Sequence, residues 1–573
     1  MFEEINLRSG ITSGGLQQQL FPYTRTPASS IELEPKGAVY TKRWVVELIL
    51  DLANYRTEND LPDALAVEPA AGDGAFLGPM IERLVASCSR MGRPIADCGQ
   101  SLIAFEINES RAERARSFAS HHLRQLGIGY RVADDLASRW VRVADYLLES
   151  PCRSPNFVIG NPPYVRLEDI PAETASHYRE MYGTMRGRAD LYVAFFEAAL
   201  RSLTDRGTCA FICADRWMRN QYGAELRRLV TSGFAVDVII EMHRADAFHQ
   251  EVDAYPAITI IHKGPQKTSV IASASETVRT LQPEMVSKLI QAANRGEAVA
   301  MPKGLRAAAV DTWFKGSDPW PCHSPGQLAL LRRLEERFIT LESTARVGIG
   351  VATGNDSLFI TKDARLVENS RLLKLALSRD ITSGETKWSG HYLVNPWDEA
   401  GLVDLSAFPQ LRAYLELHSA ALKKRHTAGK NAEGWYRTID RVTYPLTSRR
   451  KLYIADIKNT LDPVLDRGET YPHHNLYFIE SEEWDLEVLG GLLISAFGQF
   501  FVESYGVRMR GGYFRFQAQY LRRIRLPRPD ALRPSQSVEL TEAFRIRDRD
   551  YASTIALGLY GIERNEMEDA LGY

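Results

Sequence analysis

The chain has 573 residues, of which 45% are hydrophobic and 25% are charged, as in ordinary globular proteins. This composition excludes a largely disordered, collagen-like or membrane-spanning chain, and the longest apolar stretch, Leu489–Phe501, is short and interrupted by glycines. Seventy basic residues against seventy-two acidic ones give a net charge of −2, which taken alone argues against a nucleic-acid partner.

The start of the chain and its cysteines bear on location and metal binding. The first residues, MFEEINLRSG, lack the basic and apolar regions of a signal peptide, so a cytoplasmic protein with no membrane partner is expected. Six cysteines, spread between Cys88 and Cys322, are too few and too scattered for a disulfide framework or a zinc site. No metal site is predicted.

Five regions follow one another along the sequence. Residues 1–34 are rich in Gly, Ser, Gln and Pro and read as an N-terminal extension. In residues 35–265, apolar runs alternate with amphipathic helical patterns, which predicts an α/β domain with a mostly parallel, doubly wound sheet. The remainder is predicted to be a mostly helical connector (266–340), a mixed α/β region with many aromatic residues and clustered arginines (341–530), and a helical tail (531–573).

The predicted elements of the α/β domain are short. Six buried strands are expected at 65–67, 101–107, 156–160, 207–214, 236–242 and 257–263. Amphipathic helices are expected between them at 76–89, 111–126, 191–203 and 223–230.

A glycine turn and acidic strand ends suggest a nucleotide-like ligand. In EPAAGDG at 68–74, Gly72 and Gly74 allow a tight turn and a close approach of ligand to backbone. The third glycine of a dinucleotide fingerprint and the phosphate-loop lysine are missing, so an ordinary α/β turn is an equal alternative for this segment. Glu106 and Asp145 follow later strands, where a carboxylate binds ribose hydroxyls or is simply solvated. The succession of acids at strand ends favours a ligand site.

The string NFVIGNPPYVR at 156–166 is the most informative one in the chain. The side-chain carbonyl of Asn161 and the main-chain carbonyl of Pro162 can accept two hydrogen bonds from a single amino group, because the prolines supply no competing N–H groups. Such acceptors favour a tetrahedral nitrogen with an available lone pair. Tyr164 offers an aromatic face for a planar ring. A proline-rich turn capped by asparagine is the alternative.

Together these residues resemble the γ-class, NPPY-type DNA methyltransferases of restriction-modification systems, related to the methyltransferase and recognition parts of type IIG enzymes. The resemblance implies a Rossmann-like domain that transfers a methyl group from S-adenosylmethionine to N6 of adenine. GAVYT at 37–41 resembles the first cofactor motif, and GRADLYVAFFEAAL at 187–200 resembles the helix motif after the catalytic loop. Ala71 stands where many relatives carry Cys or Ser, a small and tolerable change. The implied cofactor-binding residues are Tyr40, Thr41, Glu68, Ala70, Gly72, Gly74, Glu106, Asp145 and Asn161, and the implied catalytic residues are Asn161, Pro162 and Tyr164.

An adenine inside a duplex cannot reach such a pocket, so the resemblance implies that the base is extruded and stacked on aromatic side chains. Tyr164 is one expected stacking partner. Phe248 is the other, because residues 244–263 resemble the segment that supplies an aromatic residue to the flipped base. A lone phenylalanine before a strand is, however, more often part of the core.

Residues 341–530 resemble the target-recognition domain of the same enzymes, so double-stranded DNA is the expected partner. Residues 501–530 contain seven arginines but only two acidic residues, Glu503 and Asp530. Arg508, Arg510, Arg515 and Arg522 are predicted to bind DNA, through phosphates or guanine edges. For any single arginine, a solvated surface position is the alternative. A near-neutral protein with a basic cleft between its halves is therefore predicted.

The first cofactor motif begins near residue 37, which leaves no room for an upstream nuclease, and no clear carboxylate–x–lysine nuclease core follows downstream. A modification enzyme without cleavage activity is expected, paired with a separately encoded endonuclease. The alternatives are methylation of RNA or of a protein glutamine, or a DNA-binding subunit with an inactive methyltransferase fold.

Overall fold

The computed structural model describes residues 41–149, 151, 153–249, 255–297, 299–322, 324–382, 384–430, 433–506 and 513–571. The predicted extension (1–34) and three predicted site residues, Tyr40, Arg508 and Arg510, lie outside these ranges.

The first half of the chain is built on a nine-stranded sheet with the order β3-β2-β1-β4-β5-β7-β6-β8-β9. Its strands are β1 (Ala66–Glu68), β2 (Leu102–Glu106), β3 (Val141–Val143), β4 (Phe157–Gly160), β5 (Thr208–Ala214), β6 (Phe234–Glu241), β7 (Pro256–Lys263), β8 (Ser269–Ala274) and β9 (Leu305–Val310). Strands β3, β2, β1, β4 and β5 are parallel. β7 then runs antiparallel between β5 and β6.

Helices cover both faces of this sheet, as predicted for a doubly wound α/β domain. They are α1 (Arg43–Leu52), α2 (Leu77–Met91), α3 (Glu109–Gln125), α4 (Tyr130–Trp140), α5 (Ala172–Met181), α6 (Tyr192–Ser202), α7 (Ala224–Gly233) and α8 (Pro283–Asn294). Neighbouring strand residues divide between the two cores: Ala66 packs with α1–α4 and α8, whereas Val67 packs with α5–α7. Burial on both sides explains why the central strands are continuous apolar runs.

Residues 266–340 differ from the mostly helical connector predicted for them. β8 pairs parallel with β6, and β9 pairs antiparallel with β8, so both strands extend the sheet. Their sequences, SVIASA and LRAAAV, contain much alanine and serine, and alanine favours helix in isolation. Pairing with the existing sheet edge overrides this local preference.

The second half contains smaller sheets. Its strands are β10 (Ile339–Thr340), β11 (Arg346–Ile349), β12 (Ile360–Thr361), β13 (Leu372–Ala376), β14 (Tyr392–Val394), β15 (Lys451–Ala455), β16 (Ile457–Lys458), β17 (Val464–Asp466), β18 (Tyr471–Pro472), β19 (Leu476–Glu480), β20 (Phe514–Arg515) and β21 (Arg525–Leu526). Two four-stranded sheets have the orders β11-β19-β15-β17 and β12-β14-β13-β18, and two further pairs are β10-β21 and β16-β20.

Helices pack around these sheets and form the end of the described chain. They are α9 (Pro325–Arg337), α10 (Asp356–Phe359), α11 (Pro409–Leu417), α12 (Ser419–Lys423), α13 (His426–Lys430), α14 (Leu486–Ile494), α15 (Ala496–Tyr505), α16 (Ala518–Leu521), α17 (Pro534–Ile546), α18 (Arg549–Tyr560) and α19 (Arg564–Leu571). Among the described residues, no single helix is long and apolar enough to span a membrane; α14 and α15 meet the criterion only as a pair bent by 65°.

Candidate active site

Four polar side chains line up along one edge of the large sheet. Asp145 follows β3, Glu106 and Glu68 end β2 and β1, and Asn161 follows β4. Because these neighbouring strands are parallel, their carboxyl ends meet at the same edge, where α/β proteins bind ligands. All four residues line one cavity of about 230 Å³. The other predicted site residues in its wall are Thr41, Ala70, Gly72 and Pro162.

The Glu106 carboxylate is fixed by two backbone N–H groups. Gly72 donates to Oε2 at 3.0 Å, and Asn108 donates to Oε1 at 2.9 Å. The first contact requires the glycine turn, in which Gly72 has a φ of +52°. The turn and the acid predicted separately from the sequence are thus parts of one hydrogen-bonded unit.

Glu68 is the most deeply buried acid of the cavity. It is 1% exposed, and its Oε2 atom has no hydrogen-bond partner among the described residues. Burial, with the nearby Glu106 charge as a second cause, raises the pKa of Glu68 well above its ordinary value. A cationic ligand in the cavity would stabilise the ionised carboxylate.

Asp145 is held by a contact that the sequence did not reveal. Tyr178, on α5, donates its hydroxyl to Oδ2 at 2.5 Å, and the Leu147 N–H donates to Oδ1 at 2.9 Å. Burial raises the pKa of Asp145, while these two hydrogen bonds act in the opposite direction. Tyr178 was missed because residues between the catalytic string and the next predicted helix gave no periodic signal.

Ile107 is a second residue that sequence reasoning missed. It directly follows Glu106, is 67% exposed and lines the cavity. A large apolar side chain beside a polar cavity can pack against the face of an aromatic ring. Its position in the sequence could have identified it. An apolar residue directly after a strand, at the carboxyl edge of the sheet, is unusual for a solvated loop.

Asn161 is positioned by Thr41. The Asn161 side-chain amide donates to Thr41 Oγ1 at 3.2 Å, and Thr41 forms an antiparallel bridge with Phe248. The Pro162 carbonyl accepts no hydrogen bond from a backbone N–H group of the described residues. Thr41 therefore connects the NPPY loop with the segment that carries Phe248.

The two predicted stacking residues adjoin the cavity but do not line it. Phe248 is 9% exposed and packs in the core. The ring of Tyr164 lies 6.5 Å from that of Tyr192, and its hydroxyl is buried without a hydrogen-bond partner in the described part of the chain. Burial raises the pKa of Tyr164 well above its ordinary value.

Gly74 packs against a helix behind the glycine turn. It is absent from the described residues that line the cavity, and its neighbour in space is the Phe118 ring of α3. A Cβ at residue 74 would lie 2.9 Å from Phe118 Cδ1, and φ is +88°. A glycine at this position therefore permits the close packing of α3 behind the turn, and its predicted part in cofactor binding stays a prediction.

Two described arginines of the basic segment have internal partners. Arg515 pairs with Asp456 at 2.6 Å, and Arg522 donates to the Val347 carbonyl at 2.9 Å. The segment also touches the first half of the chain, since Tyr520 donates its hydroxyl to Asn220 Oδ1 at 3.1 Å.

Comparisons with known proteins agree with this geometry. The family model described as Eco57I restriction-modification methylase matches residues 156–248, which include the NPPY string and Phe248. The chain is 42% identical over 563 residues to the type II methyltransferase M.PaeR7I of Pseudomonas aeruginosa, covering 96% of each chain. It is 40% identical to the type II methyltransferase M.XhoI of Xanthomonas vasicola, covering 93% of this chain and 99% of that one.

Among solved structures, the type IIL restriction-modification enzyme MmeI, determined in complex with DNA, is similar in fold. The TM-score is 0.54 at 13% sequence identity, over 92% of this chain and 75% of that chain.

Replacing Gly74 tests its packing role. Gly74→Ala is expected to lower the midpoint of thermal unfolding more than Gly92→Ala. Both positions have positive φ, +88° and +64°, but a Cβ at residue 92 meets nothing within 4 Å. The left-handed conformation costs about 1–2 kcal/mol at either position, and only Gly74→Ala adds a clash with Phe118. Equal losses in the two variants would contradict this role.

Glu68→Gln tests the buried carboxyl through the pH dependence of stability. The unfolded chain loses this proton near pH 4.5 whereas the folded chain retains it, so wild-type stability falls as pH rises from 4.5 through the raised folded pKa. The glutamine variant lacks this loss, and its thermal midpoint relative to wild type should increase over that range. The exposed Glu58→Gln serves as control. A difference between Glu68→Gln and wild type that does not change with pH would contradict the assignment.

Proposed function

The chain belongs to the type II DNA methyltransferases of restriction-modification systems, and from that premise we propose that it transfers a methyl group from S-adenosylmethionine to N6 of an adenine in duplex DNA. One observation carries the proposal: Asn161 of the NPPY loop lies at the wall of a cavity whose other polar groups are Glu68, Glu106 and Asp145. An acceptor for an amino group thus adjoins a pocket suited to a cationic, hydroxyl-bearing ligand.

The cavity residues fit S-adenosylmethionine. This cofactor supplies an activated methyl group on a positively charged sulfur. Glu68 offers a buried carboxylate oxygen with no partner among the described residues, which a cationic ligand would compensate. Glu106 and Asp145 offer carboxylates at strand ends, where ribose hydroxyls and base amino groups bind. The exposed side chain of Ile107 offers an apolar contact for a ring.

Asn161 and Pro162 would act on the amino group of the target base. The Asn161 side-chain carbonyl and the Pro162 main-chain carbonyl would each accept a hydrogen bond from one N–H of this amino group. The nitrogen lone pair would then point toward the cavity. Positive charge that develops on this nitrogen is stabilised by the same two acceptors. Thr41 would keep the Asn161 amide in orientation through the hydrogen bond at 3.2 Å. The released proton can pass to water, so no strong general base is required.

Tyr164 and Phe248 would hold the extruded adenine. Support comes from their positions beside Asn161: Tyr164 is three residues further along the same loop, and Phe248 bridges to Thr41, the partner of Asn161. Both rings are largely buried in the described state, so side-chain movement accompanies entry of the base. Stacking on an aromatic ring contributes about 1–3 kcal/mol per base.

The arginine-rich segment would contact DNA. In this proposal, phosphates compete with Asp456 for Arg515, and the exposed Arg528 of the same segment adds a further charge. Arg522 and, outside the described residues, Arg508 and Arg510 are proposed to bind DNA as well. The contact of Tyr520 with Asn220 ties this segment to the methyltransferase half, which suits a duplex lying between the halves.

We propose further that the chain modifies DNA without cutting it, and that a separately encoded endonuclease is its partner. The proposal rests on the sequence, which has no clear nuclease motif. Cleavage of unmethylated DNA by the purified chain with Mg²⁺ would overturn it.

Two substitutions separate the catalytic role of Asn161 from its positioning. Asn161→Ala is expected to lower kcat by about 10²–10³-fold, the cost of losing one preorganised electrostatic group. Thr41→Val, which removes only the hydroxyl that accepts from Asn161, is expected to lower kcat by about fivefold, the equivalent of one hydrogen bond of about 1 kcal/mol. Incorporation of labelled methyl groups into DNA gives both values. A fully active Asn161→Ala protein would refute the roles assigned here.

Phe248→Ala tests the extrusion of the base. The variant is expected to methylate paired DNA slowly and to recover part of its rate when the target adenine faces a mismatch, because an unpaired base costs less to extrude. Phe118→Ala removes a ring that packs over Gly74 and should show the same small effect on both DNAs. A loss in Phe248→Ala that is equal on paired and mismatched DNA would indicate a core role alone.

A further inference from the structure

A cluster of metal-ligating side chains lies in the second half of the chain, apart from the methyl-transfer cavity. Asp356, His473 and His474 each offer one ligand atom, and these atoms all lie within 4.8 Å of one another. Asp356 and His474 are exposed, whereas His473 is buried. This cluster is not apparent from the sequence, since Asp356 and His473 are 117 residues apart.

The spacing of two of the ligand atoms is close to that around a metal ion. His473 Nε2 lies 3.1 Å from Asp356 Oδ2. Two ligands of a tetrahedral zinc ion, each about 2.0–2.1 Å from the metal, are about 3.3 Å apart. His474, being exposed, can rotate to complete the set without displacing the core.

The surroundings prepare His473 and Asp356 to act as ligands. The Thr353 hydroxyl donates to Asp356 Oδ1, which leaves Oδ2 directed at His473. Asn475 is a neighbour of His473, and His473 Nδ1 and Asn475 Oδ1 are both buried with no hydrogen-bond partner among the described residues.

The neighbours of His473 bear on which of its two ring nitrogens carries the proton. If Nδ1 carries the proton, it can donate to Asn475 Oδ1, the usual second contact of a metal-bound histidine. Nε2 then presents its lone pair to the Asp356 carboxylate, and two acceptors face each other at 3.1 Å. A cation between them removes this conflict. The competing arrangement is a plain hydrogen bond from Nε2–H to Asp356, which leaves the buried Nδ1 without a donor.

The backbone holds the two loops in place without the ion. Val351 bridges in parallel to His473, and the His474 N–H donates to the Val351 carbonyl at 3.0 Å. Arg425 donates to the Thr353 carbonyl at 3.1 Å. The ligands are therefore preorganised, and binding an ion does not require the loops to fold around it.

We propose that Asp356, His473 and His474 bind one divalent transition-metal ion, for which Zn²⁺ is the best match, with water in the fourth position. Two imidazoles and one carboxylate are ligands that zinc accepts in tetrahedral geometry. The ion would fasten the loop that contains Thr353 and Asp356 to the turn at His473. It has no part in the proposed methyl transfer, so the two proposals stand or fall separately.

The test measures retained metal in the full-length protein. The protein is stripped with a chelator, equilibrated with micromolar ZnCl₂, desalted and analysed by plasma mass spectrometry. Wild type is expected to retain about one zinc per chain, while His474→Ala and Asp356→Asn retain little. His121→Ala, which removes another exposed histidine, should retain zinc as wild type does.

A second measurement guards against misfolding. The thermal midpoints of His474→Ala and Asp356→Asn in chelator should equal that of wild type, and zinc should raise the midpoint of wild type alone. Wild type that retains no zinc, or a His474→Ala variant that retains as much as wild type, would overturn the proposal.

Discussion

The parallel pairing of β3, β2, β1 and β4 is the constraint on which the site depends. It brings Asp145, Glu106, Glu68 and Asn161 from distant positions in the chain to one sheet edge. β1 and β2 are buried throughout and β4 nearly so, so the register of these strands is fixed by packing rather than by the polar residues at their ends. The polar edge can therefore carry groups that are costly for folding, of which the buried Glu68 is the clearest case.

Charge in this protein is organised locally, and the net value of −2 says little about its partners. Acids are concentrated around the cavity, where burial raises the pKa values of Glu68 and Asp145. Arginines are concentrated in the segment around Arg515 and Arg522, each of which has an internal partner. Electrostatic interactions are screened within about 8–10 Å at physiological salt. A DNA partner would therefore interact mainly with the arginines, and a cationic cofactor would interact mainly with the acids. Both groups bear charge that a ligand is expected to compensate.

Much of the fold could be predicted from sequence, because strands such as AITIIHK and VDVIIEM have strong, unambiguous apolar patterns. The alanine-rich β9 could not, since its conformation depends on pairing with β8. At the site, polar residues that stand at or directly after the ends of predicted strands were correctly expected to lie together, and they line the cavity. Contacts from remote elements were not predictable: Phe118 over Gly74, Tyr178 on Asp145 and Thr41 on Asn161 all arise from tertiary packing.

The central claim is that the NPPY loop presents an acceptor pair to the exocyclic amino group of adenine. The most direct measurement is mass spectrometry of nucleosides from unmethylated duplex DNA that has been incubated with the purified protein and S-adenosylmethionine. If this claim is correct, N6-methyldeoxyadenosine is the single methylated nucleoside. Methylation of cytosine instead, or methylation of RNA or protein with DNA left unmodified, would contradict it.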